Sequence, residues 1–208
     1  LLSKNQERLG SLNIPDTLRL VGIMAQFPLE VPDNPTTSGD GKFLNLNHEE
    51  YNHFYDSTIP RCNGFIVDRP PHNAAYFQKQ LEAVGNYYSK ISGDKLPYTA
   101  NIITRTTDDG YYTVSKTMED YAASDQLLAE FFTEVIRLAT SNIESYFEEQ
   151  LFTPDNVVFI VFHAGLGQDI NYTKFDPTIY DLKSAYIDEE MMGDILSAKI
   201  QQYSISYS

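Results

Sequence analysis

The sequence predicts an α/β fold, a mixed twisted sheet packed with two long helices. Three observations carry that expectation. The run Leu18-Arg19-Leu20-Val21-Gly22-Ile23-Met24-Ala25-Gln26-Phe27 and the run Val157-Val158-Phe159-Ile160-Val161-Phe162 are nearly continuous in apolar residues. Such runs mark strands covered on both faces rather than on one. Between them lie two long stretches with helical periodicity, and strands alternating with helices build a layered α/β domain.

The elements follow in order. Residues 1–17 are a polar lead-in ending at Pro15-Asp16. The first strand spans 18–27 and is closed by Pro28, which has no N–H for a ladder. Residues 28–47 hold Pro28, Pro32, Pro35, Gly39 and Gly41 among polar side chains and read as a long surface loop. A short helix is expected near Glu49–Ser57 and a short strand at Gly64–Val67. From 72 to 92, Ala75, Phe77, Leu81, Val84, Tyr87, Tyr88 and Ile91 recur at three- and four-residue steps, the stripe of an amphipathic helix stopped by Gly93. Leu96–Arg105 reads as a strand, Asp108-Asp109-Gly110 as a turn and Tyr111–Val114 as a short strand. A short helix over 115–121 precedes a long one, capped by Ser124-Asp125 and running to about Glu148 on the stripe Leu127, Leu128, Phe131, Phe132, Val135, Ile136 and Leu138. After the strand at 157–162 the chain is loop-rich, with an acidic helical stretch near 188–198. The organisation predicted is a lead-in (1–17), one α/β domain (18–190) and a tail (191–208).

Composition narrows the function classes. The chain of 208 residues carries 29 acidic against 15 basic side chains, a net charge of −14. Binding a phosphate backbone needs a basic stripe, so nucleic acid is not an expected partner; anionic membranes are disfavoured for the same reason. No apolar run reaches the length of a membrane span, and no signal-peptide pattern opens the chain. It begins at Leu1 rather than methionine, as a processed or trimmed chain does. A single cysteine, Cys62, excludes an internal disulfide.

Several motifs fail on spacing. His48-Glu49-Glu50-Tyr51-Asn52-His53 places its histidines at i and i+5, whereas a zinc helix needs i and i+4 to bring both imidazoles to one face. Gly165-Leu166-Gly167 follows a strand, but Ile170 stands where a dinucleotide fingerprint needs its third glycine, and no P-loop lysine follows. The acidic pairs Asp33/Asp40, Asp108/Asp109 and Asp176/Asp181 fit no EF-hand and read as solvated, although Asp33 and Asp40 lie in an oxygen-rich loop of the kind that accepts calcium. Asn171-Tyr172-Thr173 is a glycosylation acceptor, relevant only in a eukaryotic secretory route. No Gly-x-Ser-x-Gly elbow is present, and Cys62, beside Arg61 and near His72, lacks an orienting third group.

The segment from Val157 through His163-Ala164-Gly165-Leu166-Gly167-Gln168-Asp169 resembles the strand ending in His-Ala-Gly-x-Gly-Gln of immune inhibitor A-like secreted zinc metallopeptidases. Upstream, Tyr87-Tyr88 with Ser92-Gly93-Asp94-Lys95-Leu96 is similar to that family's Tyr-Tyr…Ser-x-Gly-Lys-Leu segment. The strand ending Gln26-Phe27-Pro28 is similar to its opening strand ending in Asp-Phe-Pro. The order agrees over residues 18–190. The resemblance implies a zincin-like N-terminal subdomain followed by a His-Glu-x-x-His helix. No histidine follows His163 in this sequence, so no catalytic or metal-ligating residue carries over. What carries over is a turn near the expected cleft: His163, Gly165, Gly167, Gln168 and Asp169.

Two expectations follow. In one, the chain is the N-terminal portion of a secreted zinc-dependent peptidase acting on peptide or protein substrates, with zinc held by the full-length parent and not by this chain. In the other, it is a non-catalytic extracellular binding module on the same scaffold, with its 15 tyrosines supplying the contact surface.

Overall fold

One strand organises the sheet, and every other strand among the described residues pairs with it. The computed structural model describes residues 17–31, 34–46, 70–106, 109–148, 156–169 and 178–187. Strand β1 (Leu18–Gln26) is followed by α1 (Ala74–Ile91), β2 (Tyr98–Ile103), β3 (Tyr112–Thr113), α2 (Met118–Ala122), α3 (Asp125–Glu148) and β4 (Val157–His163). The expected elements at 49–57, 64–67 and 188–198 lie outside the described residues, as do His48, His53 and Cys62.

The fold class is α/β. The sheet departs from the mixed one expected, because all pairings among the described residues are parallel: β1 with β2, β1 with β3 and β1 with β4. The physical reason lies in the connections. Parallel neighbours need long crossovers, and helices α1 and α3 supply them. The turn signal at 108–110 does not reverse the chain into a hairpin. A loop from Thr104 to Tyr111, closed by Arg105 N–H donating to Gly110 O at 3.1 Å, returns the chain to β1 in its original direction.

Hydrogen bonds fix which edge each strand takes. Leu18 N–H donates to Pro97 O and Val114 N–H donates to Gln26 O, so alternate residues from Leu18 to Gln26 face β2 and β3. Ala164 N–H donates to Ala25 O, placing β4 on the opposite edge. With β2 and β4 flanking β1 on opposite sides, right-handed crossovers require the two helices to lie on opposite faces. The side chains agree. Val21, Ile23, Ala25 and Phe27 pack in one cluster with Leu128, Phe131, Val135, Ala139 and Ile143 of α3. Met24 packs on the other face with Phe77 of α1 and Tyr111. The last seven residues of β1 are buried, which is why its apolar run is continuous.

Local signals set the helix limits. Asn73 caps α1, its Oδ1 accepting from Tyr76 N at 3.1 Å. The Ser124 hydroxyl accepts from Leu127 N at 3.2 Å and starts α3. Thr117 and Asp120 form a reciprocal capping box on α2. The buried seam of α1 is narrower than its apolar stripe: Phe77, Leu81 and Gly85 are buried, whereas Val84, Tyr87, Tyr88 and Ile91 stand exposed. The glycine lets the helix approach β2 closely. No helix among the described residues is long and apolar enough to cross a membrane.

Candidate functional site

In a parallel α/β sheet whose strand order reverses direction about one strand, ligands bind outside the carboxyl ends of the strands at the reversal. Here the reversal lies between β1 and β4, at Gln26-Phe27 and His163-Ala164. The loop after β1, the turn after β4 and the segment 178–184 converge there.

Hydrogen bonds join them. Asp181, only 3% exposed, accepts from Ser38 N–H at 2.7 Å and from the Thr178 hydroxyl at 2.6 Å. The Ser38 hydroxyl accepts from Leu166 N–H at 2.6 Å. Gln168 N–H donates to Leu182 O at 2.9 Å, and its side-chain amide donates to Ile179 O at 3.0 Å. Asp169 Oδ2 accepts from Ser184 N–H at 2.6 Å, which holds its carboxyl below the usual carboxylate range. Tyr180 N–H donates to Thr36 O. The Asn34 amide and the Thr36 hydroxyl both reach Glu119 Oε2, at 2.7 and 3.0 Å, joining the loop to α2.

The structure thus brings together His163, Gly165, Gly167, Gln168 and Asp169 of the motif turn. Gly165 has φ +86°, a left-handed conformation that glycine adopts at no steric cost. A Cβ there would meet Met118 Cε and lie 2.9 Å from Ser38 O. The His163 ring stands edge-on to Phe27 and Phe131. Its Nδ1–H donates to Ala164 O at 2.9 Å, and burial lowers its pKa.

Asp33 lies outside the described residues. Of the two aspartates of the expected calcium loop the structure therefore describes only Asp40, whose Oδ1 accepts from Lys42 N–H within its own turn. Asp181 corrects the reading of its acidic pair as solvated: it is a buried carboxylate joining two loops. Ser38, Thr36 and Glu119 carried no recognisable pattern in sequence. The Thr178–Asp181 spacing, a hydroxyl bonding a carboxylate three residues on, is a local signal that could have pointed to Asp181.

No group of three or more His, Cys, Asp or Glu side chains converges among the described residues. A small cleft of about 90 Å³ opens nearby between Tyr121, Ser124, Asp125, Gln168, Asp181 and Lys183. Pockets for organic ligands run to several hundred Å³, so this one has room for water or a single small group. Two of its lining residues, Lys183 and Asp125, pair with each other.

These features define a parallel α/β chain with a braced turn at the carboxyl end of its central strands. No protein family, curated protein or solved structure matches the chain.

Proposed function

We propose that the chain is the N-terminal portion of the peptidase domain of a secreted, zinc-dependent peptidase of the immune inhibitor A type, built on a zincin-like scaffold. The observation that carries this reading is the ordered motif set ending in His163-Ala164-Gly165-Leu166-Gly167-Gln168, with its turn at the carboxyl end of β4. That is where an α/β sheet presents a ligand crevice. In this reading the turn is a brace: Gln168 and Asp169 hold the segment 178–184, and Ser38 ties it to the loop after β1. The zinc ligands belong to chain outside these 208 residues, since hydrolytic zinc needs three protein ligands and no histidine follows His163. Peptide or protein substrates belong to the parent protein, and the chain alone hydrolyses nothing.

The test has two arms. The purified chain is assayed for bound zinc and casein cleavage, and the coding sequence is read past Ser208. The expected result is no stoichiometric zinc and no cleavage, with a His-Glu-x-x-His codon pattern downstream. Chelator-sensitive cleavage by the chain itself, or a stop codon directly after Ser208, overturns the reading.

A second reading, a non-catalytic binding module, is favoured by exposed tyrosines: Tyr87 and Tyr88 near the C-terminus of α1, and Tyr180 and Tyr186 in the segment 178–187. A stop codon after Ser208 with a folded product supports it.

A further inference from the structure

The loop after β1 bends back to the sheet through the pair Asp40-Gly41, and the fold demands both residues. Gly41 has φ +85°, and a Cβ there would meet Pro28 O, so only glycine fits. Asp40 is exposed, and its Oδ1 closes the bend by accepting from Lys42 N–H at 3.0 Å. The backbone carbonyl of Asp40 accepts from Glu30 N–H at 3.0 Å, and that of Gly41 accepts from Phe27 N–H at 2.8 Å. Among the described residues no acceptor takes the Gly41 N–H. An aspartyl–glycyl pair is the sequence in which a backbone nitrogen reaches a side-chain carboxyl with least hindrance, because the glycine carries no side chain.

We propose that Asp40-Gly41 is a site of spontaneous aspartyl isomerisation, a backbone modification that loosens the brace between the loop after β1 and the motif turn. The Gly41 nitrogen attacks Asp40 Cγ and forms the N–Cγ bond of a cyclic imide. The Cγ–O bond breaks, and the oxygen leaves as water, taking the amide proton and one proton from solvent. Water then opens the imide. Opening at Cγ restores aspartate; opening at the original peptide carbonyl gives isoaspartate, whose backbone runs through Cβ. The water consumed replaces the water released, and no other reactant is needed. The hydrogen bonds assist each part of the step. Lys42 N–H on Oδ1 stabilises the oxyanion that forms as Cγ is attacked. Glu30 N–H polarises the Asp40 carbonyl and so makes the Gly41 N–H more acidic. The product lengthens the backbone between two carbonyls that are both pinned to the exit of β1, and it turns the first into a free carboxylate. The loop then loses its register with Phe27 and Glu30, and Ser38 moves off Leu166 N–H and Asp181.

The chain carries its own control in Asp109-Gly110. There the side-chain bond to the N–H two residues on is longer, 3.3 Å from Tyr111 N, and among the described residues no N–H donates to the Asp109 carbonyl. The full 208-residue chain is aged at neutral pH, folded in buffer and unfolded in urea. Isoaspartate is read by peptide mapping, with an isoaspartate-specific methyltransferase as the label and the imide, lighter by one water, as the intermediate. The ratio of conversion at Asp40 to conversion at Asp109 is expected to be severalfold higher in the folded chain than in the unfolded one. A ratio that does not rise on folding overturns the proposal, since the dipeptide alone would then set the rate. Converted and unconverted folded chains are next separated and exposed to a protease. Faster cutting within residues 164–169 of the converted chain is the expected result, and equal resistance of the two overturns the loosening of the brace.

Discussion

The ring of Tyr98 occupies the space where a Cβ on Gly85 would sit. Helix α1 and strand β2 approach so closely at this point that the Tyr98 hydroxyl reaches across to donate to Glu82 O at 3.3 Å. Gly85→Ala gains up to about 1 kcal/mol of helix propensity but must displace backbone or ring. Overpacking typically costs about 1–3 kcal/mol, and with the whole ring of Tyr98 in the way the upper part of that range applies, so the variant is expected to be less stable by up to about 2 kcal/mol in urea unfolding. The same substitution in a Tyr98→Ala background is expected to lose that penalty. An equal cost in both backgrounds contradicts the contact.

Gly165→Ala is expected to destabilise by about 2 kcal/mol or more. The positive φ strains any Cβ, and Met118 and the Ser38 carbonyl leave no room for one. By contrast Gly39→Ala, where φ is +72° but space is open, carries only the backbone strain. Thermal unfolding of the two variants side by side separates the packing contribution from the strain.

Asp181→Ala removes the acceptor of the half-buried Ser38 N–H, and a donor left without a partner is expected to cost about 1 kcal/mol, the low end of the range for a stranded buried group. Because Ser38 also binds Leu166 N–H, the loss is expected to spread to the motif turn. Limited proteolysis is the measurement: cutting near residues 36–40 and 164–169 should rise together. Unchanged cleavage in the 164–169 turn would show that the loops are not coupled through this carboxylate.

Burial holds the His163 imidazole below its ordinary value of 6.5. The unfolded chain therefore binds this proton at a higher pH than the folded one does. Stability is fully present above about pH 6.5 and falls as the pH drops toward the lowered folded value, by up to about 1.4 kcal/mol per pH unit. Urea midpoints between about pH 7.5 and 5.5 are expected to fall in the unsubstituted protein and to flatten in His163→Gln. Parallel slopes in the two proteins would refute the assignment.

At the alkaline end, burial pushes the phenols of Tyr111, Tyr112 and Tyr121 up to about 12. The folded state keeps these protons while the unfolded chain releases them near 10, so stability is present below pH 10 and is lost as the pH rises toward about 12. Phenolate absorbance is expected to show these three ionising late or only on unfolding. Early titration of all 15 tyrosines in a still-folded protein would contradict it.

Much of the secondary structure was legible. The strand expected over 18–27 is observed at Leu18–Gln26, the helix over 72–92 at Ala74–Ile91, and the helix started by Ser124-Asp125 at Asp125–Glu148. The candidate site was legible only in part. The motif turn was read from its own residues, but Ser38, which braces it, and Glu119, which anchors the Ser38 loop to α2, are far away in sequence and share no pattern with it.

Periodicity, caps and breakers act over one or two turns of chain, so the amino-acid sequence by itself determined where strands and helices run. Which edge of β1 each strand takes, and the parallel sense of every described pairing, depend on packing between segments more than a hundred residues apart in the case of β1 and β4. Those choices belong to the tertiary structure. It alone decided that Gly85, rather than Val84, Tyr88 or Ile91, meets the sheet, and that the buried Asp181 carboxylate unites two loops that read separately as solvated surface.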